Sequence, residues 1–172
     1  MSQRRVAITG LGLISPYGGD LPDFFERALA GESAAHCQHT DHIPRPLKIP
    51  FASCPSFDVE AVLGRPLAGT MDRFAQLGTA AAFAAWADAG LSRAQPAESR
   101  ENWGVAWGTA LGGTLAYEKG YKELWQKGRE RVSPLSVILG MNNAANAHIS
   151  IQLGLGGVSM SHTVACASSA IA

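Results

Sequence analysis

Cys166 is the side chain in this sequence best placed to act as a nucleophile. It follows a charge-free, β-competent segment and precedes a run of small residues that favours a helix. We therefore predict a strand over residues 158–165 and a helix over residues 167–172, with Cys166 at their junction. Backbone N–H groups at a helix start carry partial positive charge, which favours a thiolate over a thiol. The chemistry indicated is nucleophilic attack by sulfur.

The histidines of the chain are poorly placed to serve Cys166 as a base. His162 lies four residues before it on the same predicted strand, and at ~3.3 Å per residue the two Cα atoms are about 13 Å apart. His148 falls within an apolar helix, where a histidine with a structural hydrogen bond is the more common case. The others are expected on the surface: His36, His39 and His42. The sequence therefore gives Cys166 no evident base.

Two patterns could hold a metal or a cofactor, and neither is complete. Residues 31–69 are rich in proline and predict a loop. This loop carries groups that zinc accepts: His36, Cys37, His39, His42 and Cys54. Their spacing matches no standard zinc finger, so we expect no metal. Gly10-Leu11-Gly12 lacks the third glycine of a dinucleotide fingerprint, and we expect a tight turn there and no cofactor.

The C-terminal residues 132–172 contain no Asp, Glu, Lys or Arg and are expected to be buried. Asn, Gln, His and Gly interrupt this segment too often for the ~20 apolar residues of a membrane span. Its pattern predicts a helix over residues 138–153 with a left-handed cap at Gly154, followed by a turn at Gly156-Gly157. These elements lead into the strand before Cys166.

The N-terminal segments begin with a strand pattern and continue with a helix pattern. Val6–Ile8 is apolar on both faces and predicts a central strand of a covered sheet. Asp20 is a predicted N-cap, with Pro22 in the first turn of a helix that reaches about Ala30. The apolar stripe of that helix is expected in the core: Phe24, Phe25, Ala28 and Leu29.

A second helix is predicted from Asp72 as N-cap to Gly90 as stop, and its alanines imply close packing. Its expected core face consists of Phe74, Leu77, Ala81, Ala84, Ala85 and Ala89. Residues 103–107 then predict a strand, residues 108–113 a turn, and residues 114–127 a polar, solvated helix. This alternation favours an α/β fold with a mainly parallel sheet, whose carboxyl edge is where ligands bind.

Composition excludes several classes of protein. The chain has 172 residues, 14 Lys and Arg against 14 Asp and Glu, and is 47% apolar. This balance fits one globular domain and gives no reason to expect nucleic acid or an anionic membrane as partner. Three widely spaced cysteines make no disulfide framework, and no signal peptide is evident, so we expect a reducing cytoplasm.

Several motifs together resemble those of the β-ketoacyl synthases, the condensing enzymes of fatty-acid and polyketide synthesis. Residues 163–170 (TVACASSA), preceded by residues 142–151 (NNAANAHISI) and 154–157 (GLGG), are similar to the active-site region of that family. The other similar segments run in the family's order along nearly the whole chain: residues 4–16, 72–77, 88–91 and 108–113.

The resemblance implies a thiolase-like α/β fold, of which residues 1–172 are one domain, the N-terminal half. It implies that Cys166 accepts an acyl chain from an acyl carrier protein and that decarboxylated malonyl-carrier then attacks the thioester. The Cys166 N–H would supply one oxyanion donor. In relatives, the histidines that assist decarboxylation, and a lysine near them, come from the C-terminal half of the fold, which lies outside these residues.

The resemblance also implies protein partners and two substrate-binding residues. The implied partners are an acyl carrier protein, the C-terminal half of the fold, and a second subunit that pairs through residues 158–165. That subunit would be identical or would resemble a chain-length factor. Leu111 and Ser136 fall where relatives gate the acyl pocket. Relatives that elongate fatty acids often have an aromatic residue at the second position, so Ser136 favours a roomier pocket and a polyketide or polyene pathway.

Three classes of function remain open on the sequence alone. The first is a condensing enzyme whose remaining half is supplied by a longer parent or a companion chain. The second is a non-catalytic fragment or interaction subunit that keeps the fold but no complete site. The third is a cysteine hydrolase, which we rank last because no Gly-x-Cys-x-Gly elbow surrounds Cys166.

Overall fold

A computed structural model of the chain describes residues 5–39, 47–94 and 100–172. Within them lie eight α-helices and four short strands, joined by a π-helical turn after the fifth helix and a 3₁₀ turn before the last. In chain order these are α1 Leu21–Leu29, β1 His36–His39, β2 Lys48–Phe51, α2 Val59–Leu63, α3 Arg65–Ala68, α4 Arg73–Asp88, β3 Val105–Gly108, α5 Thr114–Tyr121, the π turn Lys122–Gln126, α6 Leu135–Gly140, α7 Ala144–Leu153, β4 Ser159–His162, the 3₁₀ turn Ala165–Ala167 and α8 Ser168–Ile171.

The strands form two separate pairs. β3 and β4 are parallel, with Val105 opposite Ser159 and Gly108 opposite His162. β1 and β2 form an antiparallel pair. The prediction of a loop over residues 31–69 is therefore wrong in part, since that segment contains β1, β2, α2 and α3. Local proline content did not reveal the pairing between strands.

The hydrophobic core lies between α4 and α7, with the β3–β4 pair against α7. Alanines allow the two helices to approach closely: Ala75, Ala80, Ala144 and Ala145 are all buried. The N-cap prediction for Asp72 is confirmed, because its carboxylate accepts from the Arg73 N–H at the start of α4. A second bond to that carboxylate comes from the Ala116 N–H, at 2.8 Å, so Asp72 also ties α5 to α4.

The predicted core face of α4 is not the one most deeply buried. Phe74, Leu77 and Ala81 are only half-buried, whereas Phe83 and Trp86 lie in the core. The difference arises because α4 is covered on more than one side, so helical periodicity alone did not identify the face against α7.

Two further N-terminal predictions are wrong. Val6–Ile8 is not a strand, and the side chains of Val6 and Ile8 are 93% and 82% exposed. A strand needs a hydrogen-bonding neighbour, and no described strand pairs with this segment. α1 begins as predicted, since the Asp20 carboxylate accepts from the Asp23 N–H at 2.8 Å, but no residue of α1 is buried.

The predicted helix over residues 138–153 is divided in two. Met141 has an extended backbone (φ −66°, ψ 133°), which ends α6 and lets α7 begin at Ala144. The predicted left-handed cap at Gly154 is confirmed, with φ 64° and ψ 40°. No helix in the described part of the chain is long and apolar enough to cross a membrane.

Candidate active site

Cys166 lies in the turn that joins β4 to α8, as the sequence predicts, and its side chain is exposed. β4 is shorter than predicted and ends at His162, four residues before the cysteine. Ala165 immediately precedes Cys166 and has φ 51°, a left-handed conformation that residues other than glycine rarely adopt. We refer to residues 164–168 as the Cys166 turn.

Ser168 fixes the Cys166 turn from its buried end. Its Oγ accepts a hydrogen bond from the Val164 N–H at 2.9 Å. The hydroxyl proton has two carbonyl acceptors within reach, Ala165 O at 2.7 Å and Thr109 O at 3.1 Å. Sequence reasoning did not assign Ser168 a role, although a serine two residues after the cysteine was a usable signal.

Gly108 lets the Cys166 turn approach the end of β3. A Cβ atom at Gly108 would lie 2.5 Å from Ser168 O, a contact that real side chains do not make. The carboxyl ends of β3 and β4 meet at one edge because the two strands are parallel. The glycine-rich segment 108–113 and the cysteine are therefore brought to the same edge.

An open cavity of about 580 Å³ lies in front of Cys166. Its walls come from the segment before α1, from α4, from the end of β3 and from the Cys166 turn. The lining residues include Gly12, Ile14, Phe74, Leu77, Gly78, Ala81, Trp107, Thr109, Cys166 and Ser169. Among the described lining residues, Cys166 is the only one with an acid–base side chain. The cavity therefore offers a largely apolar surface and one thiol.

Two glycines shape the walls of the Cys166 cavity. A Cβ at Gly12 would lie 2.0 Å from Ala81 O, so the backbone of residues 10–12 rests directly on α4. A Cβ at Gly78 would lie 2.3 Å from a ring atom of Trp107, so the indole packs directly on the backbone of α4. The tight turn expected at Gly10-Leu11-Gly12 is not found there: residues 10–12 run along α4, and the turn lies between Ser15 and Gly18.

The structure does not bring Leu111 and Ser136 to Cys166 within this chain. Leu111 is 68% exposed and lies outside the described lining of the Cys166 cavity. Ser136 lines a second cavity of about 350 Å³, together with Val132, Leu135 and Leu139 and the basic side chains of Lys119, Arg129 and Arg131. Their role in gating an acyl pocket therefore stays a prediction.

Glu123 lies among the basic residues of this second cavity. Lys127 donates a hydrogen bond to the Glu123 carboxylate, and this bond is the main reason why the pKa of that carboxyl is lowered. Burial opposes the shift, while Arg129 and Lys119 add to it.

The histidines do not approach Cys166 in the described structure. His162 ends β4, opposite Gly108, and lies outside the described lining of the Cys166 cavity. His148 Nε2 lies 3.3 Å from Thr70 O, which is a structural contact.

The described residues contain no group of three or more His, Cys, Asp or Glu that could hold a metal ion. His42 lies outside the described residues, and the side chain of His39 is likewise not described.

The left-handed backbone at Ala165 gives a direct test of the geometry of the Cys166 turn. Replacing Ala165 with valine is expected to lower the free energy of unfolding by about 2 kcal/mol, because a β-branched side chain is strained at positive φ. Ala167→Val is the matched control, since Ala167 is also exposed but has φ −84°. Urea unfolding of both variants measures the difference. Equal losses in the two variants would contradict the turn geometry.

Comparison with known proteins identifies the family. The family model described as the N-terminal domain of beta-ketoacyl synthase matches residues 3–172. The chain belongs to the β-ketoacyl synthase family. It is 34% identical over 168 residues to 3-oxoacyl-[acyl-carrier-protein] synthase 2 of Vibrio cholerae, covering 96% of this chain and 40% of that protein. The enzyme of the same name from Staphylococcus aureus is 35% identical over 173 residues, covering 97% and 40%.

Solved ketosynthase structures share the fold of this β-ketoacyl synthase domain. A beta-ketoacyl synthase from Burkholderia phymatum superposes with a TM-score of 0.77 at 24% identity, covering 99% of this chain and 42% of that chain. The ishigamide ketosynthase/chain length factor gives a TM-score of 0.77 at 22% identity, covering 94% and 40%. The thiolase-like α/β fold inferred from the sequence is thereby supported, although in the described residues the parallel sheet consists of two strands. The chain spans about two fifths of the length of these relatives.

Proposed function

We propose that this chain is the nucleophile-bearing part of a condensing enzyme. The observation that carries the proposal is the exposed Cys166, held in a strained turn at the mouth of an apolar cavity, in a chain of the β-ketoacyl synthase family. Such a thiol is accessible to a carrier-bound thioester and has apolar surface beside it for an acyl chain.

The reaction has two stages. In the first, Cys166 Sγ forms a bond to the acyl carbonyl carbon, the carrier's S–C bond breaks, and the carrier thiol leaves with a proton. In the second, a carrier-bound malonyl group loses carbon dioxide, and the resulting carbanion attacks the Cys166 thioester. The bond between the acyl carbon and Cys166 Sγ then breaks, which releases the 3-oxoacyl carrier and leaves Cys166 as a thiolate that takes up a proton. The first stage needs mainly positioning and a donor to the developing oxyanion, for which we propose the Cys166 N–H.

The assisting histidines and lysine are proposed to come from sequence beyond this domain. In the described residues, the cavity lining contains no histidine. The exposure of Val6 and Ile8, which the sequence pattern places in a covered strand, is consistent with further protein packing on this segment.

The proposed partners are an acyl carrier protein and a second synthase subunit. One neighbour in fold, with a TM-score of 0.78 at 19% identity, is a type II polyketide ketosynthase in complex with its acyl-carrier protein. Another is a ketosynthase/chain length factor. In the described residues β4 pairs with β3 alone, and Val158 and Met160 are exposed. We propose that the second subunit, identical or chain-length-factor-like, pairs along β4.

Leu111 and Ser136 are proposed to select the acyl chain once that assembly forms. Ser136 lines a cavity with a polar and basic side, which fits the suggestion of a polyketide or polyene substrate rather than a plain alkyl chain. A Ser136→Phe variant of the complete protein should prefer shorter chains. An unchanged chain-length preference, measured by competition among acyl carriers, would contradict the assignment.

The competing proposal is a non-catalytic interaction subunit. It is favoured by the absence of an acid–base partner from the described lining around Cys166. A condensation assay separates the two: the protein expressed from its complete gene is incubated with acyl and malonyl carriers. Formation of a 3-oxoacyl carrier supports the enzyme. Cys166 that stays unacylated, and no product, would support the interaction subunit.

A further inference from the structure

Ser168 is almost fully buried, at 2% exposure, although it carries a polar hydroxyl and the residues around it are exposed. Its three hydrogen-bond partners are all backbone groups: the Val164 N–H, Ala165 O and Thr109 O. One of them belongs to Ala165, the left-handed residue that precedes Cys166, and one to the residue before it. The third belongs to the glycine-rich segment after β3, so one hydroxyl joins two of the segments that line the Cys166 cavity.

We propose that Ser168 is the positioning residue of Cys166. The left-handed backbone at Ala165 is unfavourable and persists only where its surroundings hold it. Ser168 stabilises this conformation, because its hydroxyl accepts a hydrogen bond from the Val164 N–H and donates one to Ala165 O. The consequence for catalysis rests on the proposed acyl transfer to Cys166, whereas the geometric role does not.

The hydrogen bond to Thr109 connects the Cys166 turn to the end of β3. The Thr109 N–H donates to His162 O at 3.1 Å, which continues the β3–β4 pairing by one residue. The Thr109 carbonyl accepts a hydrogen bond from the Ser168 hydroxyl. Ser168 therefore connects the Cys166 turn to the edge of the sheet, in addition to the hydrogen bonds that it makes within the turn. The bare backbone of Gly108 makes this approach possible. Without the hydroxyl, the turn would lose the hydrogen bonds within itself and the hydrogen bond to Thr109.

The test compares Ser168→Ala with a matched serine elsewhere in the fold. Ser15 is also buried, and its Oγ donates to Gly18 O at 2.8 Å and accepts from the Tyr17 N–H at 3.1 Å. Ser15→Ala therefore removes equivalent bonds from a different turn. Both variants, with Ser168→Thr, are made in the protein expressed from its complete gene. The rate of Cys166 acylation is measured by mass spectrometry over a range of acyl-carrier concentration, together with thermal unfolding.

We expect Ser168→Ala to lower the acylation rate at saturating donor by about tenfold or more, with the donor concentration for half-maximal rate changed by less than about threefold. Ser168→Thr keeps the hydroxyl and should recover most of the rate. Ser15→Ala should stay within about twofold of the wild type. If Ser168→Ala and Ser15→Ala reduce the rate equally, Ser168 is a structural residue only and the proposal is wrong.

A second readout separates this inference from the proposed function. Alkylation by iodoacetamide needs no carrier, and Cys37, which is exposed, provides an internal reference. The ratio of the Cys166 alkylation rate to the Cys37 alkylation rate should fall about tenfold in Ser168→Ala, because the turn no longer holds the Cys166 thiol in one position beside the cavity. If the wild-type protein is never acylated but the alkylation ratio still falls in Ser168→Ala, the enzyme proposal is rejected and the positioning role is kept. An unchanged ratio would overturn the positioning role.

If Ser168→Ala does not accumulate as folded protein, Ser168→Thr and Ser168→Cys provide the same comparison. The first keeps a hydroxyl, and the second replaces it with a weakly hydrogen-bonding thiol of similar size. A Cys166 alkylation ratio that is near the wild type for threonine and reduced for cysteine supports the proposal. Equal ratios in the two variants would contradict it.

Discussion

Replacing Cys166 with alanine is expected to reduce acyl transfer to the background rate, a loss of about 10³-fold or more. The thiol is exposed at the mouth of the cavity, and no other described lining residue carries a nucleophile of comparable strength. The free energy of unfolding should change little, because the side chain is exposed. The measurement is the rate at which a labelled acyl group passes from its carrier to the protein.

The other two cysteines provide the controls for this experiment. Cys37 lies in β1 and Cys54 follows β2, and neither belongs to the described lining of the Cys166 cavity. Cys37→Ala and Cys54→Ala should each transfer the acyl group within about twofold of the wild-type rate. Transfer that persists in Cys166→Ala and disappears in Cys54→Ala would place the nucleophile elsewhere.

Replacing Asn146 with alanine is expected to lower the free energy of unfolding by about 3 kcal/mol. Asn146 lies on α7, is 2% exposed, and makes three hydrogen bonds to the strand that leads to Cys166. Its Nδ2 donates to Met160 O at 2.9 Å and to Ser161 Oγ at 3.1 Å, and its Oδ1 accepts from Ser159 Oγ. Alanine leaves these partners without the amide and opens a gap between α7 and β4.

Asn143→Ala is the matched control for the Asn146 variant. Asn143 is exposed, precedes the same helix, and makes no capping hydrogen bond within the described structure. Its replacement should cost no more than about 0.5 kcal/mol. Urea unfolding of the two variants gives the comparison. Similar losses at the two positions would show that the Asn146 bonds to β4 do not stabilise the fold.

The sequence was sufficient to predict the elements whose signals are local. The N-caps at Asp20 and Asp72, the left-handed cap at Gly154 and the junction at Cys166 were all placed correctly, because each depends on a few neighbouring residues. A mainly parallel sheet was also expected from the alternation of strands and helices, and β3 and β4 are parallel, although their pairing with each other was not predicted.

Features that depend on distant partners could not be predicted in this way. Val6–Ile8 has the composition of a buried strand, yet in the described structure no strand lies beside it. The stripe of α1 was expected in the core, but no residue of α1 is fully buried, and only Phe24 of the stripe is partly covered, against Tyr17. Proline content gave no sign of the β1–β2 pair, and the hydrogen bond from Ser168 to Thr109 joins residues that are far apart in the sequence. Tertiary contacts decided each of these cases.

The most direct test of the central claim is peptide mass spectrometry after the protein from the complete gene has been exposed to an acyl-carrier thioester. The account predicts an acyl group on the peptide that contains Cys166, and its transfer from there to a 3-oxoacyl product when malonyl-carrier is added. Acylation that maps to another residue, or a Cys166 peptide that remains unmodified while the protein is folded, would contradict the account.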